Sequence, residues 1–162
     1  MELIKDKYFE GERPLFASRG LRLENVVIGP GESAIKECAD IEAVDCEFKG
    51  KYPFWHVDGF TIDNCVFRDG ARAALWYSRH LTMRNTRVEA PKMFREMEDL
   101  TLENVVIPDA QETLWHCDGV RLKNVEVDKA DYLFMHSSDI RIEDYRQQGN
   151  YSFQYCRNVE IS

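Results

Sequence analysis

No stretch of this 162-residue chain approaches about 18 consecutive apolar residues, so no helical membrane span is written in it. Basic charge is scarce as well. Lys and Arg number 21 against 29 Asp and Glu, a net charge of −8 with no basic run. That balance counts against nucleic acid and anionic membranes as partners. The five cysteines are an odd number with no Cys-x-x-Cys pair, which leaves neither a disulfide framework nor a zinc knuckle to read. The opening Met1-Glu2-Leu3-Ile4-Lys5-Asp6-Lys7 offers no apolar signal-peptide core. The expectation is a single cytoplasmic domain over 1–162. No segment carries a sustained, capped stripe of helical period, so a helical domain is not expected.

What is present is a repeat. An apolar residue, a polar one, an apolar one, a variable one and then Asn or Asp recur along the chain. The copies open at Leu21, Ile41, Phe60, Leu81, Leu100, Val120 and Ile140, spaced 20, 19, 21, 19, 20 and 20 apart. A degenerate copy precedes them at Ile4 and Asp6, and another opens at Val159. Six residues before each copy stands a large apolar residue: Leu15, Ile35, Phe54, Leu75, Phe94, Leu114, Phe134, Phe153. Ten before stands Gly or Ala, and three after the Asn/Asp comes a further apolar residue, broken only by Gln147. Asn and Asp make up 20 of 162 residues yet fill the turn column every time. Both tolerate the left-handed backbone of a sharp corner, and stacked copies can hydrogen-bond in a ladder.

Alternating polarity before each Asn is a strand signal. A unit of about 20 residues made of short strands and corners cannot bury its apolar face alone and must stack on its neighbours. The expected fold is all-β: a single-stranded, right-handed parallel β-helix of about eight coils. Leucine-rich repeats space their Asn differently and need a convex helical segment. Hexapeptide β-helices need a six-residue period. Neither pattern is present. The large apolar column and the column Ser18, Cys38, Val57, Ser78, Met97, Cys117, Ser137, Cys156 are three apart. Both can face inward only if the chain bends between them.

The segments Gly11-Glu12-Arg13-Pro14-Leu15-Phe16, Lys51-Tyr52-Pro53-Phe54-Trp55, Arg72-Ala73-Ala74-Leu75-Trp76-Tyr77 and Ala90-Pro91-Lys92-Met93-Phe94-Arg95 are distinctive in wording and spacing. So are Glu112-Thr113-Leu114-Trp115 and Gly149-Asn150-Tyr151-Ser152-Phe153. Over the whole chain they resemble a bacterial family of unknown function with a pectin-lyase-like β-helix. The resemblance implies that fold and further coils beyond a chain that stops inside one, and it implies no activity.

Two columns follow the large apolar one. The first holds Trp55, Trp76, Arg95 and Trp115; the second holds His56, Tyr77, Glu96, His116 and His136. Trp55, Trp76 and Trp115, with His56, are the candidate ligand-binding residues, since flat amphipathic rings suit sugar faces. Packing between coils accounts for the same rings without a ligand. Tyr77, Arg95, Glu96, His116 and His136 are the candidate catalytic residues. Arg95, His116 and Tyr77 suit elimination, and Glu96 with Glu98 and Asp118 suits hydrolysis. Glu96, His116 and His136 also spell two His and one carboxylate, but side chains on a parallel ladder diverge, so neither metal nor cofactor is expected. His80 is read as a turn residue. Cys46 and Cys65 occupy one position in adjacent coils, where a disulfide is geometrically open, and are expected as reduced, buried thiols. The expected function is a non-catalytic binding or scaffold solenoid with a saccharide as candidate ligand. The alternative is a carbohydrate-active enzyme, lyase or hydrolase. A homodimer through the last coil is expected, because Phe153, Val159 and Ile161 stand there without a cap.

Overall fold

The computed structural model describes residues 1–162. It contains thirteen strands and no helix: β1 (Glu2–Lys5), β2 (Tyr8–Glu12), β3 (Arg19–Glu24), β4 (Val27–Glu32), β5 (Ala39–Val44), β6 (Glu47–Phe48), β7 (Asp58–Asp63), β8 (Val66–Phe67), β9 (Arg79–Val88), β10 (Glu98–Ile107), β11 (Asp118–Val127), β12 (Ser138–Gln147) and β13 (Arg157–Ile161). All pairings are parallel, and each strand pairs with its counterpart one coil away. Leu81, Leu100, Val120, Ile140 and Val159 fall on one line of rungs, in the register of the sequence repeat. The molecule is a parallel β-solenoid of about eight turns.

The repeat explains each rung. First and third residues of every copy face inward, as Leu100 and Leu102 do, while Thr101 and Glu103 face out. The Asn/Asp corner residues Asp6, Asn25, Asp45, Asn64, Asn85, Asn104, Asn124 and Asp144 are all left-handed, with φ of 51 to 56°. The first three full copies break into two strands there. From β9 onward one ten-residue strand runs through the corner, and the corner residue drops out of register between pairs such as Glu103↔Lys123 and Val105↔Val125. The ladder of amides is present: Asn25 donates to Asp6 at 2.8 Å, Asn64 to Asp45 at 2.7 Å, Asn104 to Asn85 at 3.2 Å and Asn124 to Asn104 at 2.7 Å. Asn85 departs from the column and donates to Asp63.

Beyond the second strand the chain turns where the small column lies. Ala71, Ala90, Ala110 and Ala130 are fully buried. At Gly31 (φ +148°) a Cβ would lie 2.0 Å from the Gly11 carbonyl oxygen, so that corner has no room for a side chain. The large apolar column fills the axis. Leu15 through Phe134 are buried, and half-buried Phe153 stacks on Phe134 at 4.8 Å. Leu15 through Phe134 belong to one continuous core of 44 residues, and Phe153 packs against it. The polar exception Gln147 is half-buried and accepts from Tyr145 Oη at 2.9 Å, with Ser152 as its other partner. At the ends of the stack Met1, Leu3, Tyr8 and Ile161 are exposed.

Candidate functional site

The backbone between the large apolar residue and the next strand decides where the candidate side chains point. The positions two before the large apolar column, from Arg13 to Tyr151, are all left-handed. So is the large apolar residue itself from Phe54 onward, and so is the position two after it, from Ala17 to Tyr155. Extended and left-handed residues therefore alternate, which curls the chain. That curl is the bend required to bring both the large apolar column and the Ser/Cys column inside. It also leaves the intervening residue half-buried and the left-handed one exposed.

The half-buried residues are Trp55, Trp76, Arg95 and Trp115, joined by parallel bridges from Lys36 through to Trp115. Trp55 and Trp76 stack at 5.1 Å with 13° between planes. The Arg95 guanidinium lies 4.9 Å from the Trp76 ring centre and 4.2 Å from that of Trp115, a cation held between two indoles. Each side chain also closes a backbone acceptor in the next coil. Trp55 Nε1 donates to the Ala73 carbonyl at 2.6 Å, Trp76 Nε1 to that of Lys92 at 2.8 Å, and Trp115 Nε1 to that of Tyr132. Arg95 does the same through Nη2 to the Glu112 carbonyl at 3.3 Å, with the Glu112 carboxylate at 3.6 Å, while its buried Nε has no partner. The inner faces of these rings are consumed by one another.

The left-handed residues form a second, exposed ladder. His56 and Tyr77 stack at 5.1 Å with 10° between planes. Glu96 follows, then His116 on His136 at 5.0 Å and His136 on Tyr155 at 4.7 Å. No hydrogen bond joins any two of Tyr77, Arg95, Glu96, His116 and His136. No three His, Cys, Asp or Glu side chains come together as metal ligands. Glu96 and Glu98 share a shallow depression with Tyr77, Ser78 and Arg79, while Asp118 accepts from Ser138 at 2.9 Å. A cleft of about 340 Å³ lies beside the first two indoles, lined by Tyr52, Trp55, Arg72, Ala73, Trp76, Pro91 and Lys92.

Two features of this wall were not drawn from the sequence. One is a second corner column immediately before each copy: Gly20, Asp40, Gly59, His80, Asp99, Gly119, Asp139 and Asn158, all left-handed. Its signal was legible, since seven of the eight are Gly, Asp or Asn. His80 occupies the column as a turn residue and reaches Asp58 at 2.7 Å. The other is the work of the Ser/Cys column. Cys38 donates to the Leu15 carbonyl at 3.3 Å, Ser78 to that of Phe54 at 3.1 Å, Cys117 to that of Phe94 at 3.3 Å and Ser137 to that of Leu114 at 2.8 Å. The Leu15, Phe54 and Leu114 carbonyls receive no backbone donor, and a buried acceptor left without one is costly, while that of Phe94 also accepts from the Trp115 N–H at 3.1 Å. Small side chains with one weak or strong donor fill the need, which is why Ser or Cys holds six of the eight places, Val57 and Met97 the other two.

The solved structure of full-length QnrB1, a plasmid-mediated fluoroquinolone resistance protein, is similar over 99% of this chain and 93% of that one, at 10% identity and a TM-score of 0.47. A putative glycosyl hydrolase from Parabacteroides merdae is similar over 98% of this chain and 79% of its own, at 10% identity and a TM-score of 0.23. Neither likeness is close enough to inform function. No curated protein matches the chain. Residues 2–162 match the family described as protein of unknown function (DUF3737), and with the coil repeat running through that whole span the chain belongs to this family.

Proposed function

We propose that this protein is a non-catalytic solenoid that binds a saccharide chain along the exposed ladder His56–Tyr77–Glu96–His116–His136, with right-handed, pectin-lyase-like winding. The observation that carries the reading is the division of labour between the two columns. The indoles and Arg95 are spent on one another and on backbone carbonyls, which makes a stiff wall. The ring and carboxylate edges beside them stay exposed at one group per coil, with ring centres 5.0 Å apart at His116 and His136. That repeat is close to the rise per residue of an extended polysaccharide, and imidazole, phenol and carboxylate edges supply donors and acceptors for hydroxyls. Arg95, the one cation an elimination would need, is held between Trp76 and Trp115. The two carboxylates of a hydrolase, with a base joined to either, have no counterpart in the hydrogen bonds of the ladder.

A glycan array probed with the whole chain tests the reading, followed by calorimetry on the hits. Tyr77→Ala and His116→Ala should each weaken binding, and Thr101→Ala on the outer sheet face should leave it unchanged. Absence of any glycan hit defeats the ligand class. Turnover of a bound glycan into shorter or unsaturated products defeats the non-catalytic assignment.

A further inference from the structure

Cys46 and Cys65 each sit one residue past the Asn/Asp corner, in adjacent coils. The pair Glu47↔Val66 beside them places the two on neighbouring rungs. Their Cα atoms are then about 4.8 Å apart, the ordinary strand spacing. Disulfides span roughly 4.4–6.8 Å between Cα atoms. The Cys65 side chain leans toward the coil of Cys46, where its sulfur accepts from the Cys46 backbone N–H at 3.4 Å. The Cys46 thiol donates to the Leu23 carbonyl at 3.5 Å and the Cys65 thiol to the Ala43 carbonyl at 3.6 Å, so the two side chains lean the same way along the stack. A depression of about 430 Å³ opens here, lined among others by Asn25, Asp45, Cys46, Asn64 and Cys65. Cys46 is 3% and Cys65 5% exposed, so only a small reagent reaches them. The other three cysteines lie in the Ser/Cys column with no cysteine in an adjacent coil: Cys38 is followed by Val57, Cys117 by Ser137, and Cys156 is preceded by Ser137.

We infer that Cys46 and Cys65 form a dithiol that a hydroperoxide oxidises to a reversible disulfide. One sulfur of the pair, as thiolate, attacks a peroxide oxygen; an S–O bond forms, the O–O bond breaks and the departing hydroxide takes up the thiol proton as water. That cysteine is now a sulfenic acid. The other sulfur attacks it; an S–S bond forms, the S–O bond breaks and a second water leaves with the remaining thiol proton. In sum the dithiol loses two hydrogens, and hydrogen peroxide is reduced to two waters. The product staples β6 to β8 through the residues that precede them, and a soluble thiol reverses it by exchange.

The test uses the full, reduced chain titrated with hydrogen peroxide, read by intact mass and by peptide mapping without reduction. The expected result is a mass lower by two hydrogens, with one peptide pair joined through Cys46 and Cys65 and released by dithiothreitol. Cys65→Val and Cys46→Val should each abolish the cross-linked peptide pair. Valine is chosen because Val26, Val105 and Val125 hold this position in other coils, so both variants keep the core. The inference is overturned if peroxide sufficient to oxidise free glutathione leaves the mass unchanged. It is equally overturned if the bond joins other cysteines or if oxidation is confined to half-buried Cys156.

Discussion

At the scale of single residues, Arg95 stands where three coils carry tryptophan, and it imitates one. Its guanidinium covers the Trp76 and Trp115 faces, and its Nη2 donates to the Glu112 carbonyl as an indole nitrogen does elsewhere in the column. What it adds is a buried Nε without a partner. Arg95→Trp should therefore be neutral or stabilising, since the indole keeps the stacking and the donor and removes the orphan. Arg95→Ala should cost about 2 kcal/mol, as two aromatic faces lose their cation. Urea unfolding of the two variants checks the order, and a Trp variant less stable than the Ala variant would contradict it. Ser78 makes a second case. Its hydroxyl donates to the Phe54 carbonyl and accepts from the Val57 N–H at 3.0 Å, both buried. Ser78→Ala should cost about 1–3 kcal/mol. Ser78→Cys should cost less, because Cys38 and Cys117 perform the same donation two coils away on either side in the stack.

Among the elements, the corner is where local preference and tertiary structure agree most closely. Asn104 is left-handed at φ 54°, accepts from Asn124 and donates to Asn85, all on the exposed edge of β10. Alanine there should cost about 1–2 kcal/mol through the left-handed penalty alone. Glycine loses the same amide bonds without that penalty, so Asn104→Gly should fall between wild type and Asn104→Ala in urea midpoint. Equal midpoints for the two variants would show that the amide ladder, and not the backbone, dominates. On the inner side of the same coil, Phe94→Ala should cost about 3–5 kcal/mol, because a fully buried ring is removed from a stack that cannot collapse along its axis.

For the molecule as a whole, stability is the sum of coils and the contacts between neighbours. A buried thiol sets its alkaline limit. Desolvation pushes Cys117 up to about 12. A thiol in the unfolded chain ionises near about 8.5. Between those values the unfolded chain has released a proton that the folded chain keeps, so stability falls as pH rises, by roughly 1.4 kcal/mol per pH unit for one such group. Burial also raises Tyr145 and Cys38, which deepens the decline at higher pH. Below about 8.5 the Cys117 contribution is flat, since the thiol is protonated in both states. Urea midpoints should therefore decline from mildly alkaline pH upward, and Cys117→Ser should make that decline shallower. Ser137 occupies the same column in the next coil, which makes the replacement compatible with the core. A slope unchanged by Cys117→Ser would rule this thiol out as the source.

The sequence by itself determined the solenoid, its register and its core. Those depend on a pattern repeated in every coil, so an error in one copy, such as Gln147, is outvoted by the rest. It determined the Asn corner for the same reason, because only a few residue types accept a left-handed backbone cheaply. Only the tertiary structure decided what the candidate columns do. Whether Trp76 offers its face to a ligand or to a neighbour depends on the curl between Phe54-type and Ser78-type positions, and that curl uses left-handed His, Tyr and Glu that no propensity announces. Arg95 and His116 are close in the repeat, yet one is clamped between indoles and the other stacks on His136 in the open. Coils stacked in parallel set side chains side by side, so chemical character is inherited from the column while orientation is set by the bend beneath it.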